Sequence, residues 1–312
     1  MTTAAPRDAR DGTGTSAGDG AGMRTVTCAG TAIDPGPRRE VGARPDGAAD
    51  PAPGDGPPAP GALPVVLLHG LRTSSTMWRA QVRALEAVGR RVVAPDFPGH
   101  GTRIDERFTR AGAVETVEAA VDGVGGRALV VGLSLGGYIG MAHAAAHPEQ
   151  VAGLVAAACS TRPARVLVAG WALAARGIVR LPDHGAALNQ LLVERVLPPS
   201  AAEDAGAGGF ALHVVEDVLR EVSACTPIED LARIDAPVWL VNGRFDHFRG
   251  EERRFLAACR DGRLVVVARA THLVSLVAPE RFTRAVLEAL DELEHAPHLS
   301  ASAAGRGPVG SR

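Results

Sequence analysis

The chain has 312 residues, 46% of them hydrophobic, enough for one large α/β domain or two small ones with an ample core. A formal net charge of −2 without any basic cluster gives no electrostatic footprint, so neither nucleic acid nor an anionic membrane is an expected partner. All 33 basic residues are Arg, which excludes a lysine Schiff base or any other catalytic lysine.

In chain order, residues 1–62 are rich in Gly, Ala, Pro, Asp and Thr and offer little to bury, so a largely disordered extension is expected. It lacks the apolar stretch of a secretory signal, and a cytoplasmic location is the expectation. Two short pieces, 24–27 and 38–43, are candidates for a leading hairpin, and Met23 is a second candidate start. Six short apolar runs follow, at 64–68, 91–95, 128–132, 151–158, 237–243 and 263–268. Continuous runs of this length suit strands covered on both faces.

The segments between them show helical spacing. Trp78, Val82 and Leu85 share one face, with Gly89 where that helix would stop. Phe282, Val286, Leu290 and Leu293 form a second stripe, opened by Pro279. Strand–helix alternation of this kind implies an α/β fold, a mostly parallel, doubly wound sheet with helices on both faces. One connection, 159–236, far exceeds the dozen or so residues a parallel crossover needs. Its own stripes are Leu188, Leu192 and Val196, then Val214, Val215, Val218, Leu219 and Val222. The expected organisation is a core at 63–158 and 226–295, an inserted helical cap at 159–225 over the strand ends, and a flexible tail at 296–312. A plain second domain is the alternative to a cap. The most membrane-like stretch, 128–146, reads as a buried strand followed by a helix, so no stable membrane insertion is expected. Nothing in the pattern specifies an oligomeric state.

The four cysteines, Cys28, Cys159, Cys225 and Cys259, lie far apart without a C-x-x-C pair, which reads as buried thiols rather than a metal or redox site. His143 and His147 stand four apart on a predicted helix, a spacing that can hold zinc, but the Glu of H-E-x-x-H is missing and packing is the better reading. No metal and no other cofactor is expected.

The chemistry is carried by VVGLSLGGY, 130–138. With 37 Gly and 11 Ser, chance alone yields Gly-x-Ser-x-Gly about one time in seven, so context decides. Here a predicted strand leads in, Gly132 and Gly136 flank Ser134, and a helical segment follows. A strained strand-to-helix turn with small neighbours lifts a serine out of the sheet surface. On these residues the chain, over about 63–294, resembles the α/β-hydrolase superfamily and its serine hydrolase branch.

The resemblance extends to LLHGL (67–71), where the family places its oxyanion loop, and to DFPGHG (96–101) after the next strand. It also covers the turn 243–246 as the acid turn and 270–272 as the histidine loop, in the order Ser, acid, His. It implies Ser134 as nucleophile, His272 as general base and Asp246 as its orienting acid, with the backbone N–H groups of Leu71 and Leu135 as the oxyanion hole. Position 134 is Ser, which argues against the dehalogenase and epoxide hydrolase branches, where Asp stands there. His69 and His100 sit in family turns and read as structural, and Asp96 reads as fixing its loop.

The weakly charged cap stretch 166–179, with Trp171 at its centre, is either a face packed on the core or an apolar pocket wall, which Met77 and Trp78 would extend. No Arg is evidently committed to a carboxylate, which favours a neutral substrate. The leading reading is hydrolysis of a small, largely apolar carboxylic ester through an acyl-enzyme. The same triad also serves thioesterases, acyltransferases, C–C hydrolases and perhydrolases, and a non-catalytic binding protein is the remote alternative.

Overall fold

A computed structural model describes residues 61–163 and 185–295, together with 24–26 and positions 170, 173, 177, 180 and 181. Seven strands form one sheet: β1 (Arg24–Val26), β2 (Val65–Leu68), β3 (Val92–Val93), β4 (Ala128–Leu133), β5 (Val151–Ala157), β6 (Val238–Gly243) and β7 (Gly262–Val267). Their order is β1-β7-β6-β5-β4-β2-β3 and every pairing is parallel. The six apolar runs thus become β2 to β7. Residues 24–26, taken from sequence as half of a hairpin, pair in parallel with β7 at the sheet edge. The other half, the rest of 1–60 and the tail beyond 295 lie outside the described residues.

Period-two alternation sends successive side chains of each strand to opposite faces. Val66, Leu68, Val130, Leu154 and Leu240 enter one core. On that side pack α2 (Arg110–Gly123), α3 (Leu135–Ala146), α7 (Pro227–Arg233) and α8 (Glu252–Ala258). Val65, Leu67, Val131, Val155 and Val241 enter the other, with α1 (Arg79–Glu86), the short α9 (Val274–Val277) and α10 (Pro279–His295). Both predicted stripes are buried there through Leu85, Phe282, Val286 and Leu290. Helix α2 carries its buried face on small residues, Ala113, Val117 and Val121, a signal too faint to mark a helix in sequence.

Between β5 and β6 the described residues add α4 (Ala186–Val196), α5 (Pro199–Gly206) and α6 (Val215–Val222). On α6 the expected stripe faces inward, with Val218, Leu219 and Val222 buried. On α4 the orientation differs from expectation. Leu188, Leu192 and Val196 are exposed, and the buried residue of that helix is Asn189. No helix among the described residues is long and apolar enough to cross a membrane.

Candidate active site

The carboxyl ends of β2, β4, β6 and β7 bring four loops together, at the rim where open parallel sheets bind ligands. Ser134 sits between β4 and α3 with φ +53° and ψ −109°, a region L-residues rarely adopt. Its neighbours hold it there. Ser134 N donates to Ala157 O (2.8 Å), and Gly137 N and Tyr138 N donate to Ser134 O (3.0 and 3.2 Å). Only glycine fits on either side: a Cβ at 132 would overlap the Gly136 carbonyl, and one at 136 the Leu68 carbonyl.

His272, in the loop after β7, places Nε2 3.1 Å from Ser134 Oγ. Its Nδ1 lies 3.1 Å from Oδ1 of Asp246, in the turn after β6. With Nδ1 donating to the carboxylate, the network assigns Nε2 as acceptor for the serine hydroxyl. The two turns are tied by Phe245 N donating to Ala270 O (2.9 Å) and Arg244 N to Val267 O (3.0 Å). The Asp246 side chain is fully buried. Burial alone would raise its pKa, but hydrogen bonds and charge from His272, with Phe248 N donating to Oδ1 (2.8 Å), hold the carboxyl below the ordinary value of 3.8. Oδ2 has no hydrogen-bond partner.

Ser134 and His272 open into a cavity of about 310 Å³. Its apolar wall comes from Leu71, Leu133, Val218, Leu219, Phe248 and Leu273. Leu71 and Leu135, the proposed oxyanion donors, both line it, and Leu135 is the first residue of α3, where a backbone N–H has no intrahelical acceptor.

Met77 and Trp78, expected at the pocket, are instead core residues. The short 3₁₀ turn Ser75–Trp78 points them beneath the β2 loop, fully buried, with the Trp78 and Phe282 rings 5.7 Å apart. Met77 Sδ accepts from Gly70 N (3.4 Å) and Thr73 Oγ1 (3.1 Å), so it supports the turn from below. Trp171 lies outside the described residues.

His69 is fully buried, its Nδ1 donating to Gly70 O (2.9 Å) and its Nε2 accepting from Phe97 N (3.0 Å). Burial, then the nearby His100, push its pKa down to about 3, so this neutral imidazole ties the β2 loop to the β3 loop. Asp96 accepts from Ser75 N (2.7 Å), Thr102 N (2.8 Å) and Thr102 Oγ1 (2.9 Å), which fixes both loops.

Three cavity residues carried no signal in sequence. His247 packs against His272, ring centroids 5.2 Å apart. Arg162 is held by Glu251 through its Nε (2.8 Å) and its backbone N (2.7 Å). Arg72 has no carboxylate partner among the described residues, and its guanidinium donates to Asn189 Oδ1 (3.2 Å). Among the described residues no His, Cys, Asp and Glu cluster could hold a metal ion. Burial pushes the Cys225 thiol up to about 11 and Cys259 to about 12, so neither supplies thiolate near neutral pH.

Comparison with known proteins agrees with this architecture. The chain is 37% identical over 106 residues to epoxide hydrolase B of Mycobacterium tuberculosis, covering 32% of this chain and 30% of that protein's length. It is 29% identical over 265 residues to the putative carbamate hydrolase RutD of Cronobacter turicensis, covering 77% of this chain and 96% of that one. A thermophilic esterase from Thermogutta terrifontis shares the fold, with TM-score 0.62, 24% identity, and coverage of 74% of this chain and 90% of that one. A family model described as "Alpha/beta hydrolase family" matches residues 65–285, and the chain belongs to that family.

Proposed function

We propose that the protein is a serine hydrolase of carboxylic esters that works through an acyl-enzyme. The observation that carries this is the hydrogen-bonded series Ser134 Oγ, His272 Nε2, His272 Nδ1 and Asp246 Oδ1, two links of 3.1 Å each, at the floor of an apolar cavity. His272 takes the hydroxyl proton as Ser134 Oγ bonds to the acyl carbon, and the carbonyl electrons move to oxygen. The Leu71 and Leu135 N–H groups hold that oxyanion. Collapse breaks the ester C–O bond, and the imidazolium returns its proton to the leaving alkoxide. Water then attacks the acyl-enzyme, again giving its proton to His272, and the acid leaves as Ser134 is reprotonated. Buried, ionised Asp246 keeps the imidazole in the required tautomer and offsets its charge while it is protonated.

Serine at position 134 favours acyl chemistry over ring-opening or displacement at saturated carbon, the reactions named for the epoxide hydrolase relatives and the haloalkane dehalogenases. A carbamate, named for RutD, is itself an acyl compound. A fluorophosphonate probe should label the protein, and Ser134→Ala should abolish both the label and turnover of 4-nitrophenyl esters. Labelling that persists in Ser134→Ala overturns the assignment.

A further inference from the structure

Among the polar groups that interrupt the apolar lining of the cavity, Arg72 is a cation with no carboxylate partner among the described residues. Arg72 lines the wall beside Leu71 and remains accessible to solvent. Burial against neighbouring protein lowers its pKa, and no carboxylate among the described residues acts to raise it. The contrast is with Arg162 on the same wall, which is held by Glu251. Arg72 instead donates to a neutral oxygen, Oδ1 of Asn189. Asn189 is 5% exposed, and its own Nδ2 finds no acceptor. The guanidinium therefore offers its remaining N–H donors to the cavity, with no carboxylate among the described residues to balance its charge.

Such a group is best matched by a carboxylate, whose two oxygens fit the guanidinium fork. A wholly neutral ester would leave the charge as it is. Resting on the ester-hydrolase reading above, we propose that Arg72 recognises a carboxylate on the substrate, so that the enzyme's esters are half-esters of dicarboxylic acids or the equivalent lactone acids. The apolar wall then takes the methylene spacer, while Arg72 fixes the charged end.

The test compares kcat/KM for 4-nitrophenyl hydrogen glutarate with that for its methyl-capped, neutral counterpart at pH 8. The wild type should prefer the acid. Arg72→Met should lower the ratio of the two by about 10- to 100-fold, the range expected for a hydrogen bond to a charged group. Arg72→Lys should restore part of it. Asn189→Asp, which keeps Arg72 but supplies an internal carboxylate, should lower the ratio as well. An unchanged ratio in Arg72→Met, or a wild type that prefers the capped ester, overturns the proposal. If neither ester is turned over, it is the esterase reading that fails. The anion site is then judged by calorimetry with monomethyl glutarate, which should bind the wild type about 10- to 100-fold more tightly than Arg72→Met. Equal affinity, or no binding to either, overturns it.

Discussion

His143 lies in the last turn of α3, the helix that follows Ser134, and offers a stability test independent of any substrate. It is fully buried, and neither ring nitrogen has a hydrogen-bond partner among the described residues. Burial, then the charge of His147 stacked 5.0 Å away, push its pKa from 6.5 down to about 4. The sign follows from linkage. Below pH 6.5 the unfolded chain binds a proton that the native state refuses until about pH 4, so stability is complete above 6.5 and is lost as pH falls towards 4. At about 1.4 kcal/mol per pH unit, this one residue accounts for about 3 kcal/mol of acid sensitivity. His143→Leu removes both the proton linkage and two buried polar atoms without partners. Urea unfolding followed by tryptophan fluorescence between pH 7.5 and 4.5 should show a variant at least as stable as the wild type at pH 7.5. Its dependence on pH should be shallower by close to one proton. A variant with the wild-type slope would mean that the imidazole is not held neutral and that α3 does not pack as described.

Two further substitutions probe the site itself. Asp246→Asn removes the charge that offsets the imidazolium, and an amide NH2 placed at the Oδ1 position, where Phe248 N and His272 Nδ1 both bond, forces the imidazole into the wrong tautomer. A fall in kcat of about 10⁴-fold with an unchanged unfolding midpoint is expected, and a fall below tenfold removes Asp246 from the mechanism. Gly136→Ala puts a methyl group into the Leu68 and His69 carbonyls and forces α3 away from β2, carrying Ser134 with it. A loss in kcat of about 100-fold or more is expected. Gly123→Ala, where a Cβ meets nothing within 4 Å, should leave kcat unaltered. Equal behaviour of the two alanine variants in a steady-state assay counts against the steric account of the turn.

The strands and the serine turn were legible because their constraints are local. A doubly covered strand must be continuously apolar, and the turn at Ser134 must have glycine on both sides, whatever the rest of the chain does. Position relative to a face was less legible. Met77 and Trp78 are adjacent to the oxyanion loop in sequence, but a 3₁₀ turn of one residue more or less decides whether they enter the cavity or the core, and here they enter the core. The Leu188, Leu192 and Val196 spacing marks a helix correctly, yet periodicity does not say which way the helix faces, and Asn189 is the residue turned inward. Arg72 had no signal at all. One arginine among 33 is unremarkable until three dimensions show that no acid among the described residues reaches it.

That arginine also ties the loop after β2 to the connection after α5 and to α4. Its backbone follows Leu71 in a left-handed conformation, φ +69°, and its carbonyl accepts from Ala211 N (3.0 Å) in the connection after α5. Thr76 Oγ1 donates to Asp204 O (2.7 Å) and accepts from Gly208 N (3.2 Å) in the same region. The stretch 204–211 is thereby bonded to the loop carrying the proposed oxyanion donor, and Asn189 on α4 reaches that loop through the guanidinium. A carboxylate bound as proposed would compete with Asn189 for the Arg72 guanidinium, linking the charged end of the substrate to the seating of α4 through one side chain. On the proposals above, position 72 joins recognition of the substrate's charged end to the loop of the proposed oxyanion donor Leu71.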